Sequence, residues 1–390
     1  MKQIYLDYNS TTPLDERVLE AMLPYLKSKF GNASSLHSFG REAKVGLEEA
    51  REKIAALLGA EPSEIYFTSG GTESDNLALK GIALNRQSKR NHIITSAIEH
   101  HAILESAKHL EKNGYRVDYL GVDKIGLINP AFLRNKIDDQ TSIVSIMQAN
   151  NEVGTIQDIK ALAAIAHERG ALFHTDAVQA VGKIKVNVKD LDVDLLSLSA
   201  HKFYGPKGVG TMFLRKGIKI SPLSHGGHHE KGRRAGTENV AGVVGLAAAL
   251  ELAEKNLEAE HERLSDLADF FIEKIQSDIE DVFLNGPRDN SSRVPSTVNL
   301  SFQAVEGESI ILSLDMKGVG VASGSACTSG SLEASHVLTA MAIPPELAQG
   351  SIRFSMGRFT TKEDLEYTIS ILPEIIDRLR AMSPLYNKDK

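Results

Sequence analysis

Ala171-Leu-Phe-His-Thr-Asp-Ala-Val-Gln179 and, further on, Val193-Asp-Leu-Leu-Ser-Leu-Ser-Ala-His-Lys202 read as two short buried strands, each running into polar chemistry. Runs of this length, rich in Ile, Val and Leu and bounded by Gly, Asp or Asn, are strand signals. A helical stretch over 159–169 precedes the first, and the second gives way to Phe203-Tyr-Gly-Pro-Lys-Gly-Val-Gly210 and another apolar run over 208–214. Towards the N-terminus the pattern repeats, with strands expected over 64–68, 92–96, 115–120 and 142–148 and helices over 72–87 and 102–113. Alternation of this kind predicts an α/β fold, a mostly parallel seven-stranded sheet with helices on both faces. No helix separates 193–199 from 208–214, so one of that pair is expected to run antiparallel.

Beyond about residue 240 the character changes. Helical stretches over 240–256 and about 258–279 lead to a strand at 297–302 and a helix at 308–316. A loop of small residues, a strand near 351–355 and a final amphipathic helix from 362 to about 381 come next. These predict a smaller α+β domain with the N-terminal segment packed against it. The expected division is a large domain over 15–257 and a small one made of 1–14 with 258–390. A chain of 390 residues suits two domains better than one core.

Composition is that of a globular enzyme, with 42% hydrophobic and 24% charged residues. Forty-four basic against 51 acidic side chains leave a net charge of −7, which gives no reason to expect a nucleic-acid partner. Residues 1–10 lack an apolar signal region, and no run approaches 18 apolar residues, so a cytoplasmic location without a membrane span is expected. Cys327 is the only cysteine, which excludes an intrachain disulfide and a metal site built from several thiolates. A lone cysteine is ordinarily a small core residue. Here its surroundings, Gly320-Val-Ala-Ser-Gly-Ser-Ala-Cys-Thr-Ser-Gly-Ser331, offer almost nothing to bury, which points to an accessible, mobile thiol.

Three further stretches carry chemistry. Thr68-Ser-Gly-Gly-Thr-Glu-Ser74 joins a strand to a helix, so the N–H groups near Gly71 and Thr72 suit either a phosphate or a simple turn and cap. Asp176, at a strand end, either caps the next helix or faces a ligand crevice. Lys202, in Ser199-Ala-His-Lys202, is either a solvated charge or a Schiff-base lysine. Taken together they supply what pyridoxal phosphate needs: a lysine, an acid for the ring nitrogen and an anion cradle. His225-Gly-Gly-His-His-Glu230 is either a glycine-rich loop or a set of zinc donors, the latter belonging to a metal-binding or sulfur-carrier alternative.

With these motifs, and with Ser323-Gly-Ser-Ala-Cys-Thr-Ser329 as the most specific, the sequence resembles the cysteine desulfurases of the NifS/IscS-like branch. These are class V, fold type I pyridoxal-phosphate enzymes, and the resemblance runs from Tyr5-Leu-Asp-Tyr-Asn-Ser-Thr-Thr-Pro13 to Arg378-Leu-Arg-Ala-Met-Ser-Pro384. It implies that Lys202 holds pyridoxal 5'-phosphate and shuttles a proton, and that Asp176 pairs with the ring nitrogen. It implies that Gln179 and Asn151 reach the ring oxygen, Asn151 also binding substrate, that His100 stacks on the ring and serves acid–base steps, and that Gly71, Thr72, Ser199 and His201 bind the phosphate. Thr237 is implied to come from the other subunit of a homodimer, and Arg353 to clamp the substrate carboxylate. Cys327 is implied to take sulfur from L-cysteine as a persulfide for an acceptor such as an iron–sulfur scaffold. His101 has no implied role. Ser10 stands where the family more often has Ala and Ala33 where it often has Pro, and neither departure is expected to touch the chemistry. A selenocysteine lyase, or another class V lyase or aminotransferase, is the alternative activity.

Overall fold

The computed structural model describes residues 3–85, 90–324, 334–384 and 386. Its strands are β1 (Ile4–Tyr5), β2 (Ile65–Thr68), β3 (His92–Ser96), β4 (Arg116–Leu120), β5 (Thr141–Ser145) and β6 (Leu172–Asp176). They continue with β7 (Leu195–Ser199), β8 (Gly210–Leu214), β9 (Val282–Asn285), β10 (Thr297–Phe302), β11 (Val319–Gly320) and β12 (Ser351–Ser355). Among the described residues, seven form one sheet in the order β2-β8-β7-β6-β5-β3-β4. Only β8 runs against the others, pairing antiparallel with both β2 and β7. The cause is the short link over 200–209, which holds one turn of 3-10 helix and cannot make the crossover that parallel neighbours require.

The strands alternate in what they bury. Ile93, Ile143, Leu195 and Met212 enter a core with Leu79 and Leu110. Their neighbours Ile94, Val144, Leu196 and Phe213 enter the opposite core with Ile54, Ile165 and Leu250. A strand buried on both faces reads as an unbroken apolar run, which is why these segments stand out in the sequence.

A third core forms away from this sheet. Strands β12-β10-β9 make an antiparallel sheet, and β1 pairs in parallel with β11. Leu6, Phe271, Val298, Leu300, Phe302, Phe354 and Leu372 bury against one another there. The N-terminal strand thus joins elements more than 300 residues away: the Leu6 N–H donates to Gly320 O and the Asn9 N–H to Ser355 Oγ, |i−j| = 346 for the second.

Two long helices lie outside the sequence expectations, Glu16–Lys27 and Ser38–Leu58, and both pack on Val240–Lys255. Small residues permit the close approach: a Cβ on Gly245 would fall 2.6 Å from Met22 Sδ. The helix expected over 72–87 ends at Ala83, and residues 86 and 87 fall outside the described ones.

Candidate active site

Five strands of the large sheet release their chains on one side, at their carboxyl ends, where open α/β sheets hold their ligands. From β6 comes Asp176, and from β7 come Ser199, His201 and Lys202. From β2 the chain turns through Gly70 into the helix Gly71–Ala83; φ of +151° and ψ of −175° at Gly70 are open essentially to glycine alone. From β3 comes His100, N-cap of the helix His101–Lys112, and from β5 comes the turn with Asn151.

These ends surround a cavity of about 310 Å³. Lys202, Asp176, Gln179, Asn151, His100, Gly71, Thr72, Ser199, His201 and Arg353 all line it, as do Asn9, Ser10, His101 and His336. A side pocket shares Gly71, Thr72, Ser199 and His201 and adds Lys207, so a hydroxyl- and amide-rich corner sits at a positive helix end. Thr237 is exposed and lines neither space, and Cys327 lies outside the described residues.

Lys202 Nζ donates to the carbonyls of Asn9 (2.6 Å) and Ser10 (2.9 Å). Gln179 Nε2 donates to the same Asn9 carbonyl at 2.9 Å, while Lys183 Nζ donates to Gln179 Oε1 at 2.6 Å. A backbone carbonyl can only accept, so the Asn9 bond fixes which way the Gln179 amide faces. Arg353 spreads its fork over Asn151 O (3.1 Å), Asp7 Oδ1 (2.7 Å) and Ser10 Oγ (2.8 Å). The expectation for Ser10 therefore needs correcting: its hydroxyl accepts from Arg353 and donates to Asp7 Oδ1 at 2.8 Å, a bond that alanine lacks.

Burial pushes the Asp176 carboxyl up to about 6, against the opposing pull of the Val178 N–H and the Lys202 charge. Behind it, burial and the Asp176 charge together push Asp75 well above the carboxylate range. Both carboxyls of the pair are thus held above their ordinary range. His174 sits among Ser145 Oγ (2.8 Å), Ser197 Oγ (3.0 Å) and Asp75, held neutral because burial lowers it to about 3. The Asp176 carboxyl thus faces the cavity, with Asp75 and Glu152 also in its lining, a setting suited to a protonated ring nitrogen. Burial and then Lys202 lower His100 to about 4, and its Nδ1 accepts from the Ala102 N–H, which leaves its hydrogen on Nε2.

Glu99, beside His100, is pushed by burial up to about 8 despite bonds from Ser96 Oγ and the Met147 N–H. The folded chain binds this proton more tightly than the unfolded chain, whose glutamates titrate near roughly 4.3. The associated stability is full below that range and is lost as pH rises towards 8. Glu99→Gln, which keeps the neutral shape, is expected to flatten the fall in urea-unfolding stability between pH 5 and 9. A slope equal to that of the parent chain would contradict this.

In the zinc-type motif, the Glu230 carboxylate is already engaged. It pairs with Arg51 (Nη2–Oε1 2.8 Å, Nη1–Oε2 3.0 Å) and accepts the Phe67 N–H at 3.0 Å. Among the described residues no group of three or more His, Cys, Asp or Glu is arranged to hold a metal.

The amine, the strand-end carboxyl of Asp176, the anion corner and the guanidinium fit pyridoxal phosphate and an amino-acid carboxylate. The comparisons agree on the class. Residues 4–368 match the aminotransferase class-V family, and the chain belongs to that family. A relative from Dictyoglomus turgidum, "Cysteine desulfurase IscS", is 57% identical over 383 residues, covering 98% of this chain and 97% of its own. A solved structure, "NIFS-LIKE PROTEIN", is 39% identical with a TM-score of 0.91, covering 97% of this chain and all (100%) of its own. Another, "SspA in complex with cysteine", is 35% identical with a TM-score of 0.81 and covers 92% and 100%. Within its family the chain stands among the cysteine desulfurases, and its cofactor is pyridoxal 5'-phosphate.

Sequence reasoning missed Asn9, Asp7, Lys183, His336 and Glu152. Asn9, Asp7, His336 and Glu152 meet partners far off along the chain, and Lys183, only four positions from Gln179, carries no local mark. Among the described residues no helix is long and apolar enough to cross a membrane.

Proposed function

We propose that the chain moves sulfur from L-cysteine onto Cys327 by means of the residues that line the cavity. The carrying observation is that Lys202, Asp176, the Gly71 helix end and Arg353 share that one space. With the cofactor bound, its protonated ring draws electrons from the substrate and makes the α-proton acidic. Lys202 is the attachment point and takes that proton. Asp176 keeps the ring nitrogen charged, Gly71, Thr72, Ser199 and His201 hold the phosphate, and Gln179 and Asn151 orient the ring oxygen. His100 covers the ring and serves proton steps from Nε2. Arg353 clamps the substrate carboxylate, exchanging Asp7 for it. The Cys327 thiolate attacks the substrate sulfur. An S–S bond forms, the C–S bond breaks, and its electron pair stays on carbon, which is protonated to give L-alanine.

The persulfide is then passed to an acceptor, and the name carried by the relatives favours iron–sulfur cluster assembly. A homodimer is supported by the exposed Phe30 (70%), Leu36 (91%) and Phe39 (53%) and by Thr237, which sits outside its own cavity and is free to complete a partner's phosphate site. Residues 15–257 are proposed as the large domain, 1–14 with 258–390 as the small one, and the cytoplasm as the location. The test is to record the visible spectrum of the purified protein and assay sulfide and alanine after adding L-cysteine with a reductant. Cofactor absorbance with equal release of both products is expected; a chain that takes up no cofactor would sink the reading.

A further inference from the structure

Glu152 is a buried carboxyl, 2% exposed, that takes no part in those steps. Its Oε2 accepts a short hydrogen bond from Ser335 Oγ. Ser335 is the N-cap of the helix His336–Ala340, and its Oγ also accepts from the Val337 (3.1 Å) and Leu338 (3.3 Å) N–H groups. The hydroxyl hydrogen is thereby left for Glu152. On the other side, a Cβ on Gly324 would fall 2.1 Å from Glu152 Oε2, so only a glycine backbone comes this close. Gly324 and Ser335 are described residues on either side of the stretch that holds Cys327.

The carboxyl is itself fixed from behind. The Glu152 N–H donates to Asn150 Oδ1 at 2.9 Å, and its carbonyl accepts from Asn299 Nδ2 at 3.3 Å. The adjoining Asn151 lines the cavity and gives its carbonyl to Arg353 at 3.1 Å. Burying a carboxyl against a serine hydroxyl is costly, as its rise to about 7 reflects, and an apolar side chain would fill the space with no such cost. A carboxyl here thus has a geometric use.

We propose that Glu152 is a positioning residue for sulfur transfer, one group that sets both flanks of the Cys327 stretch against the cavity through Gly324 and Ser335. This rests on the reading of Cys327 as the first sulfur acceptor. The experiment is a single turnover of the cofactor-loaded enzyme with one equivalent of L-cysteine, following Cys327 persulfide by mass shift. In parallel, L-cysteine binding is titrated by cofactor absorbance, and thermal unfolding is recorded. In Glu152→Ala, the persulfide rate is expected to fall at least tenfold more than the titration midpoint moves, since a misplaced nucleophile loses rate steeply. Ser335→Ala should show the same split more weakly, with its titration midpoint held. Glu152→Gln, which still accepts from Ser335, should recover to within about threefold of the parent rate.

An unchanged persulfide rate in Glu152→Ala overturns the proposal. So does a parallel loss of persulfide rate, binding and melting temperature, which would make Glu152 merely structural. A parent enzyme that binds cofactor and L-cysteine yet never carries sulfur on Cys327 overturns the transfer reading, and the proposal with it.

Discussion

Cys327→Ala is expected to stop sulfide release from L-cysteine, by a factor of roughly a thousand or more, while the cofactor spectrum still responds to the substrate. The two halves of the result come from different parts of the molecule. In the proposed mechanism binding and α-proton removal rest on Lys202, Asp176 and Arg353, which line the cavity and are untouched by the change. Cleaving the C–S bond needs a thiolate to take the sulfur, and the sequence has no second cysteine to substitute for it. Cys327→Ser is expected to behave alike, because an alkoxide at neutral pH is far scarcer than a thiolate. Sulfide assayed beside the absorbance change separates the steps. A variant that still releases sulfide at the parental rate would mean that sulfur leaves without a protein thiol.

Lys202→Ala is expected to lose all steps together. In the proposed mechanism the residue is both the attachment point and the base, and a positioned base alone contributes about 10²- to 10⁴-fold. An activity loss of at least about a thousandfold is expected, with the cofactor now removable by dialysis. Lys202→Arg is the sharper variant. It keeps a cation able to reach the Asn9 and Ser10 carbonyls that Lys202 Nζ contacts at 2.6 and 2.9 Å, but offers no nucleophilic amine. Equal inactivity in both variants assigns the effect to the amine; activity in the arginine variant would assign it to charge.

The large sheet was legible because all its strands but the edge strand β4 are buried on both faces and therefore read as apolar runs. The reversal at β8 was legible because 200–209 is too short for a crossover. The helix Ser38–Leu58 was not, although its buried positions recur at helical spacing; many of them are Gly or Ala, such as Gly40, Ala43, Gly46, Ala50 and Ala55, which do not stand out as a core face. In the cavity, residues at strand ends, such as Asp176, Ser199 and Lys202, were found by position. Ser10 was misjudged and Asn9 and Glu152 overlooked for one reason. Their importance lies in what the fold sets beside them, namely Arg353, Lys202 and Ser335.

The strand-like N-terminal segment also sets an order of events in the cell. Asn9 meets Lys202 through its carbonyl and Ser355 through its N–H, the latter across 346 positions of chain. A ribosome adding roughly 5–20 residues per second needs about 20 to 70 s to make that stretch. Throughout that interval the N-terminal strand waits without its strand partners, and the Arg353 side of the cavity is missing. The site is completed by the chain's own last third, so a polypeptide that ends soon after residue 210 carries every residue of the anion corner and still lacks a finished catalytic centre.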